Sequence, residues 1–468
     1  MIDLTRLRKV HVVGIGGAGM SAIASVLARM GHAVSGSDLK DSAGLHRLEA
    51  QGISVHVGHA AANVDGAELV AVSTAIPERN PEVRAALEAG IPVVRRAEIL
   101  ASIAALRRTL AVSGTHGKTT TSSMLALVLV EAGLHPSFIV GGELNEIGSG
   151  ATWGDGELFV VEADESDGTF IELPAAHAVV TSIEADHLDH YGSFDAIVSA
   201  FERFLQQAAG PNVVCADDPV AARLGRATGA VLYGTDEGAD YRITNVHTER
   251  SSSSCDLSHD GELIGTIELP VPGLHNLRNA TAAAVTALQV GVPFDTARRA
   301  LARYAGVARR FQFRGATRGV TFVDDYAHNP GKIKAVLDAA RGGGWRRVAC
   351  VFQPHRYSRT ADLCREFGLA FDAADLIVVM EVYAAGETPQ PGVTGKLIVN
   401  SILDHRPWGR VAWLPRRDDV VAYLKTELRE GDLCLTAGAG DITSLPDELI
   451  AALTGSGAPA PRGLATST

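Results

Sequence analysis

The chain has 468 residues, too many for one hydrophobic core, so two to four domains are expected. A formal charge of −12 excludes a broad nucleic-acid surface and makes any phosphate site a local one. Five scattered cysteines without C-x-x-C spacing argue for a reducing compartment, and neither an apolar signal core nor a bilayer-length apolar run is present, so a soluble cytoplasmic protein is expected.

The first segment, residues 1–107, opens with a short strand, Lys9 to Val13, that enters Gly14-Ile-Gly16-Gly17-Ala18-Gly19. A helix over Met20 to Met30 is closed by Gly31, and a second strand, His32 to Ser37, ends at Asp38. This is a dinucleotide-type βαβ fingerprint: glycines for the tight turn, and an acid for a ribose or base. The loop recognises a pyrophosphate and little else, so another diphosphate-bearing nucleotide fits as well. A buried strand over Leu69 to Ser73 and a short one over Ile91 to Val94 complete a small α/β domain.

The middle segment, residues 108–307, is organised around Leu110-Ala-Val-Ser-Gly-Thr-His-Gly-Lys-Thr-Thr120. An apolar strand runs into Gly114-Thr115-His116-Gly117-Lys118-Thr119, and a helix follows from Thr120 to Glu131. Backbone N–H groups of such a loop and the helix N-terminus cradle phosphates. Lys118 reaches the terminal phosphates, and the Thr119 hydroxyl ligates Mg²⁺. Val112 stands where a full P-loop has its leading Gly. Two further apolar strands end in polar clusters, Glu162 to Asp167 and Glu184 to His190. Glu162 and His187, both just past buried strands, are the candidate metal ligands. Residues 240–270 alternate like half-exposed strands and read as a small antiparallel insertion. Asn276 and Asn279 then share a helix face; amides there read a purine edge, or Asn276 caps the helix.

The last segment, residues 308–468, starts at a hinge over Val307 to Phe311. Four apolar strands there end in polar clusters at Asp324, Gln353, Glu381 and Ala437. In an open parallel sheet such clusters line one edge, the usual ligand crevice. The tail from about 454 is Gly/Ala/Pro/Ser/Thr-rich and is expected to be disordered.

A diphosphate loop, a P-loop with metal ligands and a third α/β domain rich in Arg and His, in that order, resemble the ATP-dependent Mur ligases of peptidoglycan synthesis. The resemblance runs from about residue 8 to residue 450. It is carried by GIGGAGM (Gly14 to Met20), GTHGKTTT (Gly114 to Thr121), EADESD (Glu162 to Asp167), EADHLD (Glu184 to Asp189), HNLRN (His275 to Asn279), RRF (Arg309 to Phe311), DDYAH (Asp324 to His328) and HRYSRT (His355 to Thr360). The short P-loop is also how this family's loop looks.

The resemblance implies three α/β domains: a Rossmann-like first, a central P-loop ATPase domain and a Rossmann-like third. It implies ATP on Gly114, Thr115, His116, Gly117, Lys118, Thr119 and Thr120, with Asn276, Asn279, Arg310 and Asp325 in the same site. Mg²⁺ is expected on Thr119 and Glu162, with a second Mg²⁺ at His187; Lys118, His187 and Arg310 carry the catalytic roles. Gly16, Gly17, Ala18 and Gly19, with Asp38, Ser73, His328, Arg356 and Arg359, are expected to hold the sugar nucleotide. The implied reaction joins L-alanine to the lactyl carboxylate of UDP-N-acetylmuramate through an acyl phosphate, in a monomer or weak homodimer without nucleic acid or membrane. Ser182 departs from the family's usual Asn. The stretch Gly192 to Gln207 contains no Lys to be carbamylated, which points to the alanine-adding branch. A tripeptide-recycling ligase, an NAD-dependent oxidoreductase and a non-catalytic nucleotide sensor are the alternatives.

Overall fold

The computed structural model describes residues 2–144, 147–304 and 306–454; the tail that the sequence marks as disordered lies, from 455 on, outside the described residues. The architecture is three-domain α/β, built on three sheets in chain order. The chain divides into two compact units: Met1–His247 with Ser252–Val307, and Ala308–Thr468 with the short turn Thr248–Ser251. The first two sheets therefore belong to a single unit.

The first sheet has five parallel strands: Lys9–Val13, Ala33–Asp38, Ser54–Val57, Leu69–Val72 and Val93–Arg95, in spatial order third, second, first, fourth, fifth. The order reverses between the first and fourth strands, and the glycine loop and Ser73 both follow strands at that switch point, where ligands of doubly wound folds bind. Val10, Val12, Leu69 and Ala71 are buried beneath helices, as near-continuous apolar strands require.

The second sheet has ten strands. Its centre is Arg108–Ser113, flanked by Ala175–Val180 and Leu158–Glu162, all parallel. The register sets Val112 against Glu162 and Ser113 against Val180, so three C-terminal ends meet at one place. Residues 240–270 form the expected antiparallel strands, but as an extension of the main sheet. Tyr241–Thr248 pairs parallel to Val231–Gly234, and Ser253–His259 pairs antiparallel to Glu262–Leu269. One face of that alternation (Ile243, Cys255, Leu257, Ile267, Leu269) is buried in the common core, which ties the strands to the sheet.

In the second unit, Gln312–Thr317 pairs antiparallel to Val320–Asp325, and the other strands of a six-stranded sheet are parallel. Val320–Asp325, Asp432–Ala437, Arg347–Phe352 and Leu376–Val379 are consecutive neighbours. Their polar C-terminal clusters share one edge because the strands run the same way. No helix among the described residues is long and apolar enough to cross a membrane.

Candidate active site

The phosphate loop lies between the ends of the central strands of the second sheet. Gly114 has φ +134° and Gly117 φ +82°; the second directly precedes the helix Lys118–Glu131, which is almost wholly buried. A side chain in that left-handed region is disfavoured, so glycine lets the chain turn into the helix. The loop is braced by the neighbouring strand end. The Thr115 N–H donates to the Ser182 carbonyl at 3.0 Å, and the His116 N–H to the Ser182 hydroxyl at 3.0 Å. The Thr181 hydroxyl donates to the His116 carbonyl, and the Glu184 N–H to the Thr115 hydroxyl at 2.9 Å. Ser182 thus holds the loop with its hydroxyl where the family's usual Asn would use an amide.

Lys118 Nζ donates to the Gly114 carbonyl at 2.7 Å and pairs with the buried Glu165 at 2.7 Å. Burial would strip the charge from Lys118, but Glu165, Asp164 and Glu162 outweigh it and hold the ammonium above its usual value. The same burial pushes Glu165 up, against the pull of Lys118. The Tyr191 hydroxyl donates to the Glu165 carbonyl at 2.6 Å and fixes that turn.

The Thr119 hydroxyl donates to Glu162 Oε1 at 3.0 Å, and Glu162 Oε2 accepts the Gly141 N–H at 2.6 Å. A hydroxyl and a carboxylate side by side at a phosphate loop are hard oxygen donors, and Mg²⁺ completes such a shell with phosphate oxygens and water. These two residues fit the ion. His187 stands at the end of the neighbouring strand's polar cluster. It has φ +54° ahead of the short helix Leu188–Tyr191, and its ring lies 3.7 Å from Asp186. Among the described residues no group of three or more His, Cys, Asp or Glu is set to hold a metal by itself.

Asn276 and Asn279 are both buried in the helix Leu274–Gln289. Gly273, not Asn276, is the N-cap; the Asn276 amide instead donates to the Pro272 carbonyl at 2.7 Å. Asn279 lies against the phosphate loop, for a Cβ at Gly117 would overlap its Oδ1.

In the first sheet, Asp38 Oδ2 accepts the Gly16 N–H at 2.9 Å, so the acid at the second strand's end closes onto the diphosphate loop. The Gly14 and Ile15 N–H groups donate to the Ser37 carbonyl, and the Ala75 N–H approaches the Ser73 hydroxyl at 3.4 Å. Beneath lies a buried polar cluster that sequence reading missed. Glu82 accepts from the Ser37 hydroxyl at 2.6 Å and the Asn63 amide at 2.6 Å, with His59 at 3.0 Å and His11 at 3.8 Å. These residues are spread over the chain, and no local motif marks them.

In the second unit, Arg309 donates to Asp324 and to the Gly438 carbonyl, and the guanidiniums of Arg309 and Arg310 lie 5.0 and 5.5 Å from the Tyr326 ring centre. Burial pushes Asp325 up, opposed by Arg310 and by the Phe311 and Ala327 N–H groups it accepts. His328, His355 and Arg359 come together: the two rings are 6.0 Å apart, and Arg359 reaches the His355 ring at 3.3 Å. Burial holds His328 down at about 2 and His355 at about 4, so both are neutral near pH 7. Arg356 lies outside the helix that carries Arg359. It precedes the helix Tyr357–Asp362 with φ +72°, a strained conformation for a non-glycine residue.

Three family models match in succession: the Mur ligase catalytic domain over residues 9–108, the Mur ligase middle domain over 112–287 and the Mur ligase glutamate ligase domain over 309–440. The chain is 45% identical over 453 residues to a UDP-N-acetylmuramate–L-alanine ligase of Pelotomaculum thermopropionicum, covering 96% of this chain and 98% of that one. It is 47% identical to the ligase of the same name from Rubrobacter xylanophilus, covering 95% and 100%. Among solved structures it resembles a UDP-N-acetylmuramate–alanine ligase of Thermotoga maritima, with a TM-score of 0.82, 28% identity and coverage of 96% and 100%.

Proposed function

The chain belongs to the Mur ligase family, and on that premise we propose that it joins L-alanine to the lactyl carboxylate of UDP-N-acetylmuramate, converting ATP to ADP and phosphate, in peptidoglycan synthesis. The observation that carries the reading is the meeting of Lys118, Thr119 and Glu162 at adjacent strand ends, in a chain similar along nearly its whole length to ligases of that name. A carboxylate oxygen of the sugar nucleotide attacks the γ-phosphorus and ADP leaves. The alanine amine then attacks the acyl carbon of the acyl phosphate, phosphate leaves, and the amine gives up a proton. Phosphoryl transfer asks the protein for position and charge rather than covalent help. Lys118 supplies a fixed positive charge, the N-terminus of the helix Lys118–Glu131 faces the phosphates, and Asn279 abuts the loop. Thr119 and Glu162 would hold Mg²⁺, which when bound neutralises phosphate charge.

The remaining roles belong to the same proposal. Asp38, Ser73 and Gly16 to Gly19 take the uridine diphosphate; Arg310 and Asp325 serve ATP; His187 serves a second metal; His328, Arg356 and Arg359 serve the acyl substrate. The domains are taken as 1–107, 108–307 and 308–468. The test is ADP release with UDP-N-acetylmuramate across a panel of amino acids and a tripeptide, with Mg²⁺ titrated. L-alanine is expected to couple best, with no turnover when Mg²⁺ is removed. Steady ADP release without sugar nucleotide, or tripeptide as the best acceptor, overturns the reading.

A further inference from the structure

Arg310 stands between two residues whose backbones are left-handed: Arg309 has φ +63° and Phe311 φ +45°. That region is disfavoured for a residue with a Cβ, and such a conformation persists only where the surroundings hold it. Here the surroundings are the ends of two neighbouring strands of the third sheet, Val320–Asp325 and Asp432–Ala437. The Arg309 carbonyl accepts the Tyr326 N–H at 2.8 Å, and the Phe311 N–H donates to Asp325 Oδ2 at 2.7 Å. The Phe311 side chain packs against the hydrophobic core of the same unit. The Arg309 guanidinium spans both strand ends: Nε donates to Asp324 Oδ2 at 3.3 Å, and Nη2 donates to the Gly438 carbonyl. Asp324 is fully buried, and the Thr436 and Thr443 hydroxyls donate to its two oxygens, each at 2.7 Å.

Neutralising Asp324 does not account for this arrangement. An arginine can reach a buried carboxylate from relaxed backbone, and both Asp324 oxygens already accept a hydroxyl. The two left-handed residues achieve something local instead. They bind the chain to the strand ends on either side of Arg310, so its side chain starts from a backbone that is fixed before and after it. The Tyr326 ring completes the seat, with the Arg309 and Arg310 guanidiniums 5.0 and 5.5 Å from its centre. A positive charge meant for a transferring phosphoryl group acts best when it is placed beforehand, because reorganisation during the reaction slows it. We propose that Arg309 is a positioning residue for phosphoryl transfer, and that its clamp on Asp324 and the Gly438 carbonyl aims Arg310. This rests on the reading of Arg310 as a residue that serves ATP.

The experiment is steady-state ADP release by the full chain, with ATP varied at saturating UDP-N-acetylmuramate and L-alanine, and thermal melts alongside. The variants are Arg309→Met, Arg309→Lys and Arg310→Ala, with each Arg309 change also made in the Arg310→Ala background. Arg309→Met keeps the length of the side chain and removes the clamp. It should lower kcat about tenfold to a hundredfold and leave KM for ATP within about twofold, because a misplaced charge is missed chiefly in the transition state. Arg309→Lys should recover only part, since one ammonium does not bridge Asp324 and the Gly438 carbonyl as a planar fork does. In the Arg310→Ala background neither Arg309 change should slow the enzyme further, because the clamp has nothing left to aim. Wild-type kcat in an Arg309→Met protein that only melts earlier would make the clamp a stabilising contact and overturn the proposal. Losses that multiply in the double variants would show Arg309 acting apart from Arg310 and overturn it too. If Arg309→Met does not fold, Arg309→Lys carries the same comparison. Wild-type kinetics in Arg310→Ala would remove the reading of Arg310 and this inference together, whereas the first two outcomes remove the inference alone.

Discussion

Lys118 Nζ and the Glu165 carboxylate are 2.7 Å apart and both nearly buried, so the cation proposed for the phosphates is held by an acid three residues beyond the candidate metal ligand Glu162. Lys118→Ala removes the charge meant for the phosphates and leaves Glu165 buried without its partner. ADP release should fall more than about a hundredfold while UDP binding is kept. Stability should fall by roughly 3 kcal/mol, because the surviving carboxylate is uncompensated. The Lys118→Ala/Glu165→Gln double variant should regain part of that stability and none of the activity, which urea melts and coupled ADP assays will separate. A double variant no more stable than Lys118→Ala would mean that the pair is not the source of the loss.

Gly117 and Asn279 constrain each other. An alanine at 117 must adopt φ near +82° and also displace the Asn279 amide. Left-handed backbone costs roughly 1–2 kcal/mol for a residue with a Cβ. Gly133, at φ +70° with open space around it, meets the strain without the collision and serves as the control. Gly117→Ala should lose ATP affinity at least about tenfold, while Gly133→Ala should lose stability only. Equal ATP affinity in the two variants, measured by calorimetry, would detach Asn279 from the nucleotide site.

Much of this site was legible in the sequence because its parts are contiguous. The spacing of Gly114, Gly117, Lys118 and Thr119 points to a phosphate loop before any packing is known, and the strand ending at Glu162 brings its acid to the same edge through parallel register. Glu165 was hidden inside a run of four acids, where surface solvation is the ordinary fate of any single one. The Glu82 cluster needed tertiary structure, since His11, Ser37 and Glu82 come from three separate elements and His59 from a loop. The strands at 240–270 had the right period, but alternation does not say which sheet a strand joins.

That buried cluster makes stability depend on pH. Burial alone would raise Glu82, but the nearby His11 ring and the hydrogen bonds from Ser37 and Asn63 outweigh it and lower the group from 4.5 to about 2. A depressed folded value means stability fully present above pH 4.5 and lost as pH falls toward 2. The side chain is inaccessible, and a shift of that size corresponds to an effect on the order of 3 kcal/mol. The stability advantage of wild type over Glu82→Gln, from urea melts across pH 6 to 2, should therefore shrink below about 4.5. A difference constant over that range would mean that Glu82 does not titrate between folded and unfolded states as described.

Arg356 offers a sharper test of the acyl-substrate site than alanine scanning, because its backbone and side chain can be examined separately. With φ +72° and ψ 138°, it sits where glycine is at ease and other residues are strained. Its N–H donates to the Tyr383 carbonyl at 2.9 Å, and its carbonyl accepts the Thr360 hydroxyl at 2.7 Å, so the surroundings hold the conformation. Arg356→Gly keeps those backbone bonds and relieves the strain, and it should melt no earlier than wild type. Arg356→Ala and Arg356→Lys retain the strain. If the guanidinium is what the acyl substrate needs, the Gly and Ala variants should both lose about tenfold to a hundredfold in kcat/KM for UDP-N-acetylmuramate. Arg356→Lys should also be impaired, because a point charge does not replace a bidentate fork. The measurement is steady-state kinetics with each substrate varied in turn, paired with thermal melts. A glycine variant with wild-type kinetics would show that the strained backbone serves the turn alone, and Arg356 would lose its place in the site.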